Sequence, residues 1–226
     1  TKAPVLICPS MNTNMYENVI VRENIQKLTS RGYHMMEADS GELACKTEGV
    51  GRLPELSDIV EEVKSILTEK DLAGETVLVT AGPTREPLDP VRFITNYSSG
   101  KMGYALASRA RRRGASVILI SGPTVLSVPR GVTYVPVSTA VEMRHAVMKN
   151  LKQSTIVIKS AAVADYRPSV CADAKIKKKD GPWTLYLERN PDIIAEIGKK
   201  KKERILIGFA MESEDLIKNA KAKMLA

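Results

Sequence analysis

Thr84, Arg85, Asp89, Arg92, Asn96, Ser98, Ser99 and Lys101 crowd one stretch, VLVTAGPTREPLDPVRFITNYSSGKMG at 77–103. The residues before this loop spell a buried strand, and those after it open a helix near Lys101. A strand that feeds a glycine-containing loop and a helix N-terminus makes a phosphate site, because unpaired backbone N–H groups and the helix dipole converge there. The loop is longer and more polar than a turn requires, which marks it as the place to look for function. It matches neither standard nucleotide fingerprint. Gly100-Lys101 is followed by Met102, so the hydroxyl of a Walker A loop is missing, and no GxGxxG is present.

Other residues carry chemistry by type and place, each with a plain structural reading beside it. The basic run KIKKK at 175–179 reads as a solvated surface or as a flap that closes over a triphosphate. Asp165 reads as a cap or as an ion-pair partner of Arg167. Asn190-Pro191 spells a helix N-cap followed by an N1 proline, and a helix start can also receive an anionic ligand. Phe209 reads as core by type, Lys223 as a solvated helix face, and Cys45 as a small buried residue. Four arginines, Arg109 and Arg111 to Arg113, complement a helix C-terminus.

The elements that must position these residues follow from periodicity. Val5 to Cys8 and Tyr33 to Met36 read as short strands, with a helix from Glu17 to Arg31 closed by Gly32 between them. Ser57 is an N-cap candidate for a helix running to Leu67. A polar segment, 68–75, then separates two parts, and the boundary falls between 1–70 and 71–226. Beyond it, VLVT at 77–80 and SVILIS at 116–121 flank a helix whose Met102, Ala105, Leu106 and Ala110 recur at helical spacing. Thr139 and Glu142 form a capping box for a helix with Ala140, Met143, Val147 and Leu151 on one face. TIVIKS at 155–160 follows, and WTLYLE at 183–188 reads as a further strand. Apolar strands alternating with amphipathic helices predict a mostly parallel sheet covered on both faces. The loops AGPTREP and AAVADYRP both leave carboxyl ends of strands, where such sheets bind ligands.

Composition narrows the classes. With 226 residues and 43% apolar content the chain holds one large or two modest domains. A net charge of +8 favours anionic ligands, while 4% aromatic residues supply few stacking platforms for single-stranded nucleic acid. Cys8, Cys45 and Cys171 form neither a CxxC pair nor an even framework, so a zinc site and a disulfide scaffold are not expected and a cytoplasmic setting is. No apolar run reaches a membrane span. The chain reads as a fragment, since it opens almost directly on a strand and stops at KAKMLA in mid-helix.

AGPTREPLDPVRFITNYSSGKMG, AAVADYRP, KIKKK, NPDI at 190–193 and GFAME at 208–212 occur in order. Together they resemble the phosphopantothenoylcysteine synthetase domain of the bifunctional coenzyme A enzymes. PSMNTNMYEN at 9–18 and GELACKTEGVGR at 41–52 are similar to the end of the flavin-dependent decarboxylase that precedes it. The resemblance implies a Rossmann-like, doubly wound α/β domain preceded by a partial flavoprotein-type α/β segment. It implies CTP-dependent ligation of cysteine to 4′-phosphopantothenate through an acyl-cytidylate, with Mg²⁺. FMN and decarboxylation belong to the full-length protein, and this chain alone is expected to be colourless.

The resemblance also assigns residues. Ser160, Ala161, Asp165, Lys175, Asn190, Pro191, Phe209 and Lys223 would touch the nucleotide. Asn96 would hold the acyl-phosphate and Arg92 the incoming cysteine. Cys45 would donate a proton during decarboxylation, and Asn12 would hold the substrate carboxylate. Where the family spells ACGxxG, this chain has Lys46 after Cys45. Metal ligands are not identifiable. A homo-oligomer is expected, a synthetase dimer within a larger assembly of the full protein, with neither nucleic acid nor membrane as partner. The rival reading is a non-catalytic dinucleotide-binding or nucleic-acid-binding module, which the parallel sheet and positive charge allow.

Overall fold

The computed structural model describes residues 2–178, 180–210, 214, 215 and 221. The chain divides into two compact units, Thr1–Thr68 and Glu69–Ala226.

The first unit runs β1 (Leu6–Ile7), α1 (Thr13–Tyr16), α2 (Val19–Ser30), β2 (His34–Met35), β3 (Asp39–Glu42), β4 (Glu48–Arg52) and α3 (Leu56–Ile66). β1 pairs in parallel with β2, and β3 with β4 as an antiparallel hairpin. The helix expected at 17–31 is α2, and a short α1 precedes it; Asn12 and Asn18 each accept a backbone N–H two residues on and start the two helices separately. Ser57 does not cap α3. The cap position is Glu55, whose carboxylate is drawn away to Arg52 at 2.7 Å and leaves the helix start without a side-chain cap. Helix α2 buries no residue and α3 buries only Ser65, so Val19, Ile20, Leu56 and Leu67 are exposed.

The second unit runs β5 (Thr76–Ala81), β6 (Arg85–Pro87), β7 (Phe93–Thr95), α4 (Lys101–Arg112), β8 (Ser116–Ser121), β9 (Thr133–Pro136), α5 (Ala140–Leu151), β10 (Ile156–Lys159), β11 (Tyr166–Pro168), β12 (Leu187–Arg189), α6 (Ile193–Lys199) and β13 (Ile205–Gly208). Five strands form one sheet in the order β13-β10-β5-β8-β9, and every pairing is parallel. Chain order reverses between β5 and β10, and the carboxyl ends at such a reversal are where open sheets of this kind bind ligands. The doubly wound sheet expected from the alternating pattern is therefore present. Only β8 to β9 lacks a crossover helix.

The sheet is covered on both faces. Val77, Val79, Ala81, Val117 and Leu119 pack beneath Tyr104, Ala107 and Ala110 of α4. On the other face Leu78, Ile118, Ile120 and Val157 meet Met143, Val147 and Leu151 of α5 and Ile193 and Ile197 of α6. The α5 stripe is the one its spacing predicts. The α4 stripe is rotated, with Met102 47% exposed and Gly103, Tyr104, Ala107 and Ala110 buried. Gly103 explains the rotation, since a Cβ there would lie 2.5 Å from the Ala81 Cβ. The helix settles against β5 on its smallest residue.

Three side-chain bonds hold the α5 start. Thr139 Oγ1 accepts from Glu142 N, Glu142 Oε2 accepts from Ser138 N, and the buried Glu86 carboxylate accepts from Ala140 N at 3.0 Å. Two other expectations fail. The strand expected at 183–188 is confined to β12, Leu187–Arg189, which pairs antiparallel with β11. Helix α6 is capped by Asp192, which accepts from Ala195 N, and Asn190-Pro191 lies before the cap.

Candidate functional site

The crevice between β5 and β10 is built by glycines and hydroxyls. Gly82 turns out of β5 with φ +71, and Gly100 holds φ +76 as the N-cap of α4, a region that favours glycine. A Cβ on Gly122 would lie 1.7 Å from the Pro83 carbonyl oxygen, so the chains leaving β5 and β8 pass too closely for any side chain. With glycine at the cap, α4 has no N-cap side-chain bond, and Lys101 N makes only a long bond of 3.5 Å to Ser99 Oγ. The first N–H groups of α4 open at the crevice as donors for an anion.

β10 contributes the opposite wall. Ser160 Oγ donates to Thr80 O at 2.6 Å, and Ala161 N donates to Thr80 Oγ1 at 3.3 Å. Ala162 N donates to Gly82 O at 2.9 Å, and Thr84 N returns a bond to Ala162 O at 3.1 Å. Asn96 Nδ2 donates to the same Ala162 oxygen at 3.3 Å. Asn96, Ser160 and Ala161 thus stand together beside the α4 N-terminus. Phe209 follows directly on β13, one residue past the Lys159–Gly208 pair and so beside Ser160, and is half-exposed.

Asn190 is a strut. Its backbone N donates to Asp165 O, its Nδ2 donates to Ala164 O at 2.8 Å, and its Oδ1 accepts from Arg167 Nη1 at 2.9 Å. Arg167 pairs with Glu188 at 2.8 Å rather than with Asp165, because the hairpin register sets Arg167 opposite Glu188. The Asp165 side chain is exposed. Asn190 and Pro191 border a cleft of about 610 Å³ that Arg144, Arg167, Arg189 and Lys199 also line.

Arg92 and Lys175 are linked through a residue whose role the sequence did not single out. Asp89 is 2% exposed, and its carboxylate accepts from Val91 N, Arg92 N, Arg92 Nε, Arg92 Nη2 and Ile176 N. The Arg92 guanidinium holds the Asp89 carboxyl far below the usual range, with the backbone donors adding to the effect. Arg92 Nη2 also donates to Ile176 O at 2.7 Å, and the guanidinium lies 5.4 Å from the Trp183 ring centre. Lys175 is exposed beside Ile176. Asp89-Pro90 spells an Asx turn, a signal that would have singled out Asp89 as a turn former. Its buried partnership with a segment 87 residues away was not visible. Lys179 and Lys223 lie outside the described residues.

The first unit holds its own cluster. Asn12 Nδ2 donates to Cys45 Sγ at 3.2 Å, and Thr47 Oγ1 lies 3.1 Å from the same sulfur. Thr47 and then Asn12 draw the Cys45 thiol below its ordinary pKa. Met11 N donates to Gly51 O at 2.9 Å and sets the 9–15 loop against β4. Lys46 has φ +61, so it adopts the left-handed turn that a glycine would take without strain.

Residues 72–226 match the family described as the DNA/pantothenate metabolism flavoprotein C-terminal domain, and residues 1–68 match the family described as Flavoprotein. The chain belongs to the DNA/pantothenate metabolism flavoprotein family. It is 50% identical over 228 residues to the Coenzyme A biosynthesis bifunctional protein CoaBC of Bacillus subtilis, covering 99% of this chain and 56% of that one. It is 44% identical over 230 residues to a Cysteine/Cysteine sulfinic acid decarboxylase from an unknown prokaryotic organism, covering 99% of this chain and 64% of that protein. The crystal structure of the C-terminal domain of a CoaBC protein superposes with a TM-score of 0.63 at 46% identity, covering 70% of this chain and 74% of that one. The chain spans about half the length of the CoaBC relative from Bacillus subtilis. Among the described residues, no helix is long and apolar enough to cross a membrane.

Proposed function

We propose that the second unit joins cysteine to 4′-phosphopantothenate at the expense of CTP, within a longer cytoplasmic protein of coenzyme A biosynthesis. The observation that carries this reading is the crevice at the sheet's reversal point. There a helix N-terminus with glycine at its cap, Asn96, Ser160 and the Ala161 backbone stand in one hydrogen-bonded frame. The match to CoaBC relatives supplies the chemical class.

In the first step a carboxylate oxygen of 4′-phosphopantothenate attacks the α-phosphorus of CTP. The bond to the bridging oxygen breaks, and pyrophosphate leaves with both electrons. The α4 N–H groups would hold phosphate charge, and Lys175 would offset the charge that develops on the leaving group. Asn96 donates to the acyl-phosphate. In the second step the cysteine amine attacks the acyl carbon, CMP leaves, and the nitrogen gives its proton to solvent. Among the described residues, the Arg92 Nη1 donors carry no partner, so the cysteine carboxylate would bind on that edge. Asp165, Asn190, Pro191, Phe209 and Lys223 would line the nucleotide's remaining surface.

Among the described residues, no cluster of three His, Cys, Asp or Glu side chains could hold a metal. Mg²⁺ would be held by the nucleotide's own phosphates, a common mode for this ion. The Flavoprotein match fits FMN in the longer polypeptide, where Cys45 would act as proton donor and Asn12 as carboxylate anchor. A homo-oligomer with no nucleic-acid partner completes the proposal.

The test is pyrophosphate release from CTP, Mg²⁺ and 4′-phosphopantothenate, with and without cysteine. We expect release without cysteine, amide product only with it, and roughly a 100-fold slower first step in Asn96→Ala, the scale for losing one oriented donor. CTP that binds without any pyrophosphate release would overturn the ligase reading in favour of a nucleotide-binding module.

A further inference from the structure

A buried carboxylate with five donors on it is an expensive arrangement unless it holds something in place. Asp89 holds two segments. Its Oδ1 accepts from Val91 N and Arg92 N at 2.9 and 2.8 Å, closing the turn of the 82–100 loop on itself. Its Oδ2 accepts from Arg92 Nε at 3.0 Å and from Ile176 N at 3.1 Å, reaching into the 171–183 segment. Arg92 repeats the link through Ile176 O and the Trp183 ring, and Ala172 N donates to Leu88 O at 3.0 Å. Ile176 is therefore gripped on both its N–H and its carbonyl, while its neighbours Lys175, Lys177 and Lys178 are exposed.

We propose that Asp89 is the positioning residue that clasps the 171–183 flap to the 82–100 loop, so that Arg92 and Lys175 are presented to their ligands as one unit. The flap is then pinned at Ile176. Lys175 moves about that pin over a short arc, and its reach is set before any nucleotide arrives. Three of the five Arg92 N–H groups are spent on Asp89 and Ile176, which fixes the direction of the Nη1 edge. The identity of the ligands rests on the ligase reading. The clasp itself does not.

Ligand-free protein tests the clasp. Trp183 is the chain's single tryptophan, so its emission reports the Arg92 contact directly. Asp89→Asn should shift that emission and raise trypsin cleavage after Lys177 and Lys178 roughly tenfold, the scale for losing a charge-assisted hydrogen bond. Ile176→Pro removes only the flap's donor and leaves the Asp89–Arg92 pair and the sheet intact. It should raise the same cleavage by a similar factor, which separates loss of the clasp from loss of the fold. Unchanged cleavage in both variants would overturn the proposal.

CTP titration tests the presentation of Lys175. Asp89→Asn should weaken CTP binding about tenfold in the parent and not at all when Lys175→Gln is already present. An equal loss in both backgrounds would overturn the positioning role. If the parent binds neither CTP nor 4′-phosphopantothenate while cleavage and emission respond as expected, the clasp stands and the ligase reading falls.

Discussion

Lys46 carries a conformation its side chain does not favour. Its N–H donates to Leu43 O at 2.8 Å and Leu43 N donates to Thr47 O at 2.9 Å, so the turn between β3 and β4 closes on a residue at φ +61. Left-handed geometry costs a residue with a Cβ about 1 kcal/mol relative to glycine. The turn nevertheless forms, since it places Cys45 within bonding distance of both Asn12 and Thr47. Lys46→Gly should relieve that strain and stabilise the hairpin by about 1 kcal/mol. Amide exchange checks this, with roughly fivefold greater protection expected at Leu43. Equal or lower protection would show that the turn is held by other contacts.

At the scale of elements, two helical glycines have opposite roles. Gly103 sits where α4 touches β5, and a Cβ there would meet the Ala81 Cβ at 2.5 Å and Ser160 Oγ at 2.7 Å. Gly198 lies in α6 with nothing within 4 Å of its would-be Cβ. Gly103→Ala should force α4 off the sheet and cost about 1 to 3 kcal/mol, the range for overpacking. Gly198→Ala should instead gain about 0.5 to 1 kcal/mol through helix propensity. Denaturant melts of the two variants give the comparison, and a matching sign for both would contradict the packing account. The same contact at Gly103 also displaced the α4 stripe from Met102 and Ala105 to Tyr104 and Ala107. Spacing alone showed an amphipathic helix, and its rotation was decided by a backbone approach that no periodicity records.

Across the second unit, carboxylates are tied to basic side chains, near in sequence for Asp89 with Arg92 and distant for Asp71 with Arg113 and Glu196 with Arg144. Arg92 holds Asp89 down, Arg113 holds Asp71 down, and Arg144 followed by Lys200 holds Glu196 down. A carboxyl whose folded pKa is depressed adds stability above its unfolded value, near 4, and loses it as pH falls through the folded value. Thermal midpoints should therefore be flat with respect to these groups from pH 8 to 5 and fall below about pH 4. In Arg92→Met the Asp89 pKa rises, so the variant should melt lower at pH 7 and the gap to the parent should narrow by pH 3. A gap that stays constant on acidification would remove Asp89 from the account.

The alternation of apolar strands with amphipathic helices was enough to predict the parallel sheet, because burial on both faces leaves strands with no polar side and helices with one. The α5 face and the two loops at strand carboxyl ends were legible for the same local reason. Caps were less so. Ser57 and Asn190 have the right residue types, but Glu55 and Asp192 hold the cap positions, since neighbouring partners chose among equivalent local candidates. The joining of Asp89 to Ile176, of Asn96 to Ala162 and of Asn190 to Ala164 was decided only by tertiary structure. Local pattern fixes which face of an element is apolar. Which distant loops meet at the end of a sheet depends on strand order, and strand order is set by packing the whole chain.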